Sequence, residues 1–348
     1  MLNFNTLEIN LKNIVSNASY ITNKYKDYKW FIGVVKASAY GCGYLHTIEA
    51  LEKGGINFFA VSSLDEALEV RKYTKKGILI LTPVDLSSIS ICVKNDISII
   101  VDDINYINQI HESGLKIHIK LNTGMNRFGT NDIDEIKEII KYASSNNIIV
   151  EGMHTHIYHA CKKELVDKQI EIFESLISKI DYSNIPMIHV MNSESLCLYP
   201  KFKYTNGVRI GDLLYGLTYE KEYKSVFRLK SKVIKIRTLH KGENLGYDSG
   251  FTAPKDTIIG IVPLGYAEGV VKANKGREIY INNKPYKIIG NICMGHMFVE
   301  LDESIKLYDE ANVINDSIHV MDIAEYLHTA PSEITCIINR NMQKEYIK

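Results

Sequence analysis

The 348-residue sequence has no excess charge of either sign, with 41 basic residues against 41 acidic ones. That leaves no electrostatic footprint for nucleic acid. Its lysines are scattered, as in KYTKK and LKSKVIK, and form no basic run of the kind that binds anionic membranes. Long apolar runs are also missing: GILILTPV and IIGIVPLGYA fall far short of the ~18 residues a membrane helix needs. The N-terminus, MLNFNTLEINLKN, is polar and carries no apolar signal core. The six cysteines show no C-x-x-C spacing, which argues against a disulfide framework or a zinc knuckle. A reducing, cytoplasmic setting is therefore expected. No repeat of 20–50 residues and no low-complexity tract stands out.

What is present is a core-forming composition, 45% apolar, long enough for two domains or an α/β barrel with an appendage. Between about residues 28 and 217, short apolar or β-branched runs alternate with amphipathic stretches. FIGVVK (31–36), NFFAVS (57–62), GILILT (77–82), SIIVD (98–102), KIHIKL (116–121), IIVEGMHTH (148–156), PMIHVM (186–191) and GVRI (207–210) read as strands. YLHTIEALEKG, LDEALEVRKY, DEIKEIIKYASSN and VDKQIEIFESLISKI read as helices between them. Eight βα units predict an α/β fold of the (β/α)8 TIM-barrel kind, with a doubly wound open sheet as the alternative.

After about residue 222 the pattern changes. RLKSKVIKIRTL, DTIIGIVPLG, REIYIN, PYKIIGNI, MFVEL and IKLYD are strand-like, with Asn282-Asn283 and Gly242 at turn positions. MDIAEYLHTA (321–330) reads as one short helix. The expected organisation is a barrel over 8–222 and a C-terminal β-rich domain over 223–348, with residues 1–7 a candidate to pack with the latter.

Barrel enzymes build their sites from strand ends and the loops that follow. Here Lys36 ends the first strand candidate, Arg127 lies after the fifth, and His156 ends the sixth. Asn192-Ser193 follow the seventh, Arg209 lies in the eighth, and Gly211 comes just after it. A lysine ending an apolar strand is costly unless paired, neutralised or covalently used, although a lysine alone more often snorkels to water. Barrel phosphate sites use the loops after strands seven and eight, where Ser193 and Gly211 offer a hydroxyl and an unhindered amide. A phosphorylated aldehyde held there could reach Lys36, because strands eight and one adjoin in a closed barrel. That describes pyridoxal 5′-phosphate, with Arg209 placed to partner the pyridine nitrogen. His154, His156 and His159 form H-x-H-x-x-H, but without matching cysteines or carboxylates a supporting histidine is preferred to a metal site.

The stretches VVKASAYGCG, KLNTGMNRFG, EGMHTHI, HVMNSES, VRIGDLLYGL, LGYDSGFTA, VPLGYAEG and GNICMG together resemble the alanine racemase family, in family order and over residues 8–340. The resemblance implies a barrel with a C-terminal β domain, pyridoxal phosphate as cofactor, and a head-to-tail homodimer that shares its active sites. It implies that Lys36 carries the cofactor as an imine and is one acid/base. It further implies that Tyr247 is the second and comes from the partner subunit. Tyr40, Ser193 and the amides of Gly211 and Asp212 match the phosphate cradle. Arg209 matches the pyridine partner and His189 its support. Arg127 matches a residue near the cofactor's phenolic oxygen and the substrate carboxylate, and Lys120 a lysine that is carbamylated in some members and orients that arginine. His156 matches a histidine near the tyrosine base. Tyr266 and Met294 match residues contributed across the interface to the access path and substrate. A cationic His156 and Arg127 would lower the phenol of Tyr247 from its usual ~10.

Four positions depart from the family: Asp212 is usually aliphatic, Lys272 stands for an arginine, Gly295 for an aspartate, and Ser332 for a phosphate-contacting tyrosine. The missing aromatic at 332 leaves room and adds a hydroxyl, so serine or a broader set of amino acids is an alternative to alanine as substrate. Two other readings compete. One is a related barrel decarboxylase, whose glycine-rich phosphate loop and cysteine–aspartate motif are not found. The other is a noncatalytic cofactor-binding homologue, against which Lys36, Tyr247, Arg209 and Arg127 all stand. If the substrate is alanine, the expected role is supply of D-alanine for the bacterial cell wall.

Overall fold

In a computed structural model, residues 4–338 and 342–348 are described. The chain divides into two compact units. One comprises Val15–Ala39 and Gly43–Leu214; the other gathers the chain up to Ile14, Tyr40–Cys42 and the part from Tyr215 onward.

The first unit is a closed parallel barrel of eight strands, which excludes the open-sheet alternative. In chain order they are Trp30–Val34, Phe58–Val61, Gly77–Ile80, Ile97–Val101, Lys116–Lys120, Ile149–His154, Met187–His189 and Gly207–Ile210. Closure comes from the last strand pairing with the first, Trp30 opposite Gly207 and Ile32 opposite Arg209. Both faces of such strands are covered, so the sequences are continuous apolar runs rather than alternating ones. Phe58–Val61 is buried throughout. The polar residues among these strands are therefore conspicuous: Ser98, His118, Lys120, His154, His189 and Arg209 are all buried.

Some of the helices between the strands begin at a side-chain cap. Ser63 accepts from the Glu66 amide at the start of Leu64–Arg71, and Asp132 accepts from the amides of Asp134 and Glu135 at the start of Ile133–Ser145. Side-chain acceptors there satisfy amides that have no intrahelical partner. Ile136, Ile139 and Ala143 form the buried stripe of the latter helix.

The second unit is built on a nine-stranded sheet. Its order is Lys235–Leu239, Thr257–Val262, Met297–Leu301, Lys284–Ile289, Glu278–Ile281, Glu310–Ile314, Phe227–Lys232, Thr6–Asn10 and Gln343–Ile347. Thr6–Asn10 lies inside this sheet, antiparallel to Phe227–Lys232 and parallel to Gln343–Ile347. Residues 1–3 of the N-terminal stretch lie outside the described residues.

Several expectations for this unit need correction. RLKSKVIKIRTL is two strands that part at Val233-Ile234 and pair with different neighbours. IKLYD is a turn region, and the strand follows it at Glu310–Ile314, where Ala311, Val313 and Ile314 are buried. MDIAEYLHTA contributes a helix, Val320–Leu327, which stops at His328 in a left-handed conformation; a second helix, Pro331–Ile337, follows. The turn at Asn282-Asn283 is as expected, with positive φ at both residues joining two antiparallel strands.

Candidate active site

The first barrel strand ends at Val34, two residues short of the expected position, and Lys36 opens a strained turn. Ala37, Ser38, Ala39 and Tyr40 have φ of 53°, 58°, 53° and 55°. A left-handed run of non-glycine residues costs about 1–2 kcal/mol per residue, and such strain persists where the surroundings enforce it. The enforcing group is Glu66. Its carboxylate accepts from the Ala37 amide at 2.6 Å and from the amide and hydroxyl of Ser62, each at 2.9 Å. The Tyr44 hydroxyl accepts from the Ser38 amide at 3.2 Å. Lys36 itself is exposed. The argument from a buried lysine thus fails at Lys36 and applies instead to Lys120.

Lys120 is 6% exposed at the end of the fifth barrel strand. Burial holds its ammonium well below the usual amine range, and the charges of Arg209 and Arg127 push it further. Arg209 is 4% exposed. One of its Nη atoms donates to His189 Nδ1 at 2.7 Å and to the His189 carbonyl at 3.0 Å. The other donates to the carbonyls of Thr155 and Val190 and reaches His156 Nδ1 at 3.2 Å. The guanidinium is fixed by these bonds, and no acceptor for its Nε–H is found among the described residues. Burial brings it down to about 9, which leaves it charged at neutral pH.

His156 lies just beyond the sixth barrel strand, at the mouth. Its ring is pushed down to about 2, first by burial and then by Arg209, Lys120, Arg127 and Lys36. It is therefore neutral, and the cationic His156 expected to help a phenol is not found; desolvation, with arginine charges nearby, forbids the extra charge. Lys36, Lys120, Arg127 and Arg209 thus all act on this one imidazole. Ser193, after the seventh strand, accepts from the Gly211 amide through its hydroxyl at 2.9 Å. Burial raises the carboxyl of Asp212, Lys36 opposes that shift, and Glu194 adds to it. Arg127 is exposed in its loop.

H-x-H-x-x-H does not converge: His159 is exposed, His156 is at the mouth and His154 is buried. His154 joins a different trio with His118 and His189, whose ring nitrogens lie within 4.8 Å of one another. Two of those nitrogens already bond each other at 2.9 Å. Burial first, and then the neighbouring basic groups, Arg209 among them, hold His154 and His189 well below the usual imidazole range, which disfavours a cation there. Sequence reading missed His118 and Glu66. His118 had a signal, since it precedes Lys120 by two residues on the same strand face.

Within the second unit, Tyr247 stands on a short hairpin, Asn244–Leu245 with Phe251–Thr252, and is 70% exposed. Leu245 packs with Leu239, Ala253, Ile259, Ile289, Cys293 and Phe298, which anchors the hairpin. The Asn291 side chain donates to the Tyr247 carbonyl at 3.0 Å. Tyr266 and Met294 adjoin, with the Tyr266 amide on the Cys293 carbonyl and the Ala267 amide on that of Met294. They are 40% and 63% exposed. Lys272 lies over the Tyr266 ring at 5.7 Å, and nothing crowds Gly295. Tyr40 stacks on Tyr215 at 4.6 Å. Gly41, next to it, lies so close to the Thr335 carbonyl that a Cβ would meet it at 2.5 Å, which brings Tyr40–Cys42 against the helix that carries Ser332.

Residues 9–219 match the alanine racemase N-terminal domain, and residues 226–346 match the alanine racemase C-terminal domain. The chain is 31% identical over 361 residues to alanine racemase 1 of Bacillus subtilis, covering 98% of this chain and 92% of that protein. It is 30% identical over 364 residues to the alanine racemase of Staphylococcus saprophyticus, covering 98% and 94%. The crystal structure of alanine racemase from E. faecalis superposes with a TM-score of 0.94 at 28% identity, over 99% of this chain and 98% of that one. With both domain families matched in order around a barrel mouth that gathers a lysine, two arginines and a fixed imidazole, the chain belongs to the alanine racemase family and is an isomerase of the amino-acid racemase type.

Proposed function

We propose that this enzyme interconverts L- and D-alanine with pyridoxal 5′-phosphate bound through Lys36. The single observation that carries the reading is the fixed Arg209, its Nη groups committed to protein acceptors and its Nε–H left for a ligand, beside a lysine on a strained turn. The remaining donors suit the same group. Ser193 and the amides of Gly211 and Asp212 would hold the phosphate. When bound, pyridoxal phosphate draws electron density from the substrate α-carbon and makes its proton removable.

The chain's own residues do the rest. Lys36 moves a proton at one face of that carbon, and Tyr247 of the partner subunit moves one at the other. Arg209, charged at neutral pH, would donate a hydrogen bond to the ring nitrogen without giving up a proton, which would limit electron withdrawal and side reactions. Arg127 receives the substrate carboxylate. Lys120, buried within reach of the charges of Arg209 and Arg127 and with its own charge suppressed, orients Arg127, and addition of carbon dioxide to its neutral amine, with loss of a proton, would set an anion near those cations. His189 supports Arg209. Tyr266 and Met294 line the access path from the partner's side; exposure of Tyr247, Tyr266 and Met294 on one unit supports a shared, head-to-tail homodimer.

Turnover on L-alanine, L-serine and L-lysine tests the substrate. Alanine is expected to exceed the others by about tenfold or more. Serine turned over as fast as alanine would favour a broader pocket, the reading that Ser332 supports. Lys36→Ala should abolish both the visible absorbance of the cofactor-loaded protein and proton exchange at the α-carbon. Tyr247→Phe should keep the absorbance and lose racemisation. Absorbance without exchange in the native protein would point to a noncatalytic binding role.

A further inference from the structure

Beneath the mouth, the chain of hydrogen bonds that starts at Arg209 continues past His189 to groups that the proposed reaction does not use. Arg209 donates to His189 Nδ1 at 2.7 Å. His189 Nε2 and His118 Nδ1 are 2.9 Å apart. His118 Nε2 is 3.2 Å from Glu151 Oε2, and the Ser98 hydroxyl donates to the same oxygen at 2.5 Å. The direction follows from the ends. A guanidinium has only hydrogens to give, so Nδ1 of His189 accepts and its Nε2 carries the proton. His118 Nδ1 must then accept, and its Nε2–H donates to a carboxylate, which can only accept. Each bond points the same way, from the cation at the mouth to the anion below.

The backbone is shaped for this. Lys120, His154 and His189 pair across adjacent strands in one layer. His118 is one layer below, level with Gly152. A Cβ at Gly152 would sit 2.4 Å from His118 Nδ1, the accepting atom. The register shifts between Ile117 and His118, so that Val150 faces Ile117, Gly152 faces His118 and Glu151 is the extra residue between them. A bulge re-aims the side chain at that point. Lys116 Nζ is 3.9 Å from Glu151 and 2.6 Å from the exposed Asp96, so the chain ends near the barrel's N-terminal rim. Burial pushes the Glu151 carboxyl up, but the bonds from His118 and Ser98 and the charge of Lys116 outweigh it and hold it below its ordinary value.

We infer that Glu151 is a positioning residue for the reaction: through His118 and His189 it sets the direction of the bonds that hold Arg209 and balances the charge Arg209 presents to the cofactor ring. This rests on the cofactor reading above. Two imidazoles separate Glu151 from Arg209, so it acts through them. Its carboxylate polarises two neutral imidazoles in series, and they pass that polarisation to the guanidinium. Without it, Arg209 becomes a stronger donor to the ring nitrogen, and the lysine-linked cofactor becomes more electron-poor.

The experiment is a pH titration of the visible absorbance of cofactor-loaded protein, comparing native enzyme with E151Q, H118Q, S98A and the double variant E151Q/H118Q. Glutamine at 151 keeps the size and one acceptor for His118 but removes the charge. The absorbance of E151Q should titrate about one pH unit lower than that of the native enzyme. H118Q should shift the same way, and it serves as the test alone if E151Q does not fold. The double variant should shift no further than either single one, because both interrupt one path. S98A keeps the charge and should titrate as the native protein does. A native-like titration of folded E151Q, or of H118Q in its stead, overturns the inference, as does additivity in the double variant. Native protein that takes up pyridoxal phosphate without visible absorbance would instead remove the cofactor reading itself.

Discussion

Glu66 and the buried imidazoles are the residues on which the site's geometry turns. Glu66 accepts three hydrogen bonds and holds the left-handed turn that follows Lys36. Glu66→Gln replaces one accepting oxygen by a donor that faces a donor. The expected result is a loss of about 1–3 kcal/mol in denaturant unfolding and a fall in kcat of about tenfold with a smaller change in KM, from a misplaced amine. An unchanged kcat would show that the turn holds without the carboxylate. Burial, followed by neighbouring charges, holds the rings of His154, His156 and His189 below the ordinary value of 6.5, His156 at about 2. In the unfolded chain they take up protons below that value, and in the folded one they do not. Stability is therefore complete above about pH 6.5 and declines as pH falls, with His156 alone contributing a loss of up to about 2 kcal/mol at pH 5 and His154 and His189 acting in the same direction. Thermal melts from pH 7.5 to 5 should show the decline; a flat profile would mean these rings protonate in place.

Among the elements, the strand Ile149–His154 carries the most information. It brings His154 into the layer of Lys120 and His189, leaves room at Gly152 for His118, and offsets Glu151 by a bulge. Gly152→Ala should cost about 1–3 kcal/mol, because the added carbon overlaps a fixed ring. Gly114→Ala, with φ +82° but open space, is the comparison, at about 1 kcal/mol from backbone strain alone. Equal losses in chemical denaturation would refute the packing argument. The eight strands were legible because buried parallel strands are written as short apolar runs; Lys36, His156, Ser193 and Gly211 stood out because each follows or ends such a run, and Arg209 because it is a charge inside one. Glu151 was not. It sits in a stretch read as one regular strand, and only the register against Lys116–Lys120 reveals that it is extra. Thr6–Asn10 was missed as a strand because its partners lie more than two hundred residues away.

For the whole molecule, the reading turns on two bases that come from different chains. Tyr247 is exposed on a hairpin anchored through Leu245, which suits the proposed use of its phenol by a partner. Mixing Lys36→Ala subunits with Tyr247→Phe subunits under exchange conditions tests this. Each parent should be inactive. In a head-to-tail dimer the mixed species has one intact site, so activity should recover to about a quarter of the native level. No recovery, with subunit exchange confirmed by mass, would place both bases in one chain.

By itself, the sequence determined the barrel, the β-rich second domain and the family, because apolar periodicity and ordered local motifs are properties of neighbouring residues. It also indicated which polar residues end the strands. Only the tertiary structure decided that Lys36 is exposed and Lys120 buried, that His156 is neutral, and that Arg209 is joined to Glu151 through two imidazoles. Those facts depend on desolvation and on register between strands far apart in the chain, and neither is encoded in the spacing of any one segment.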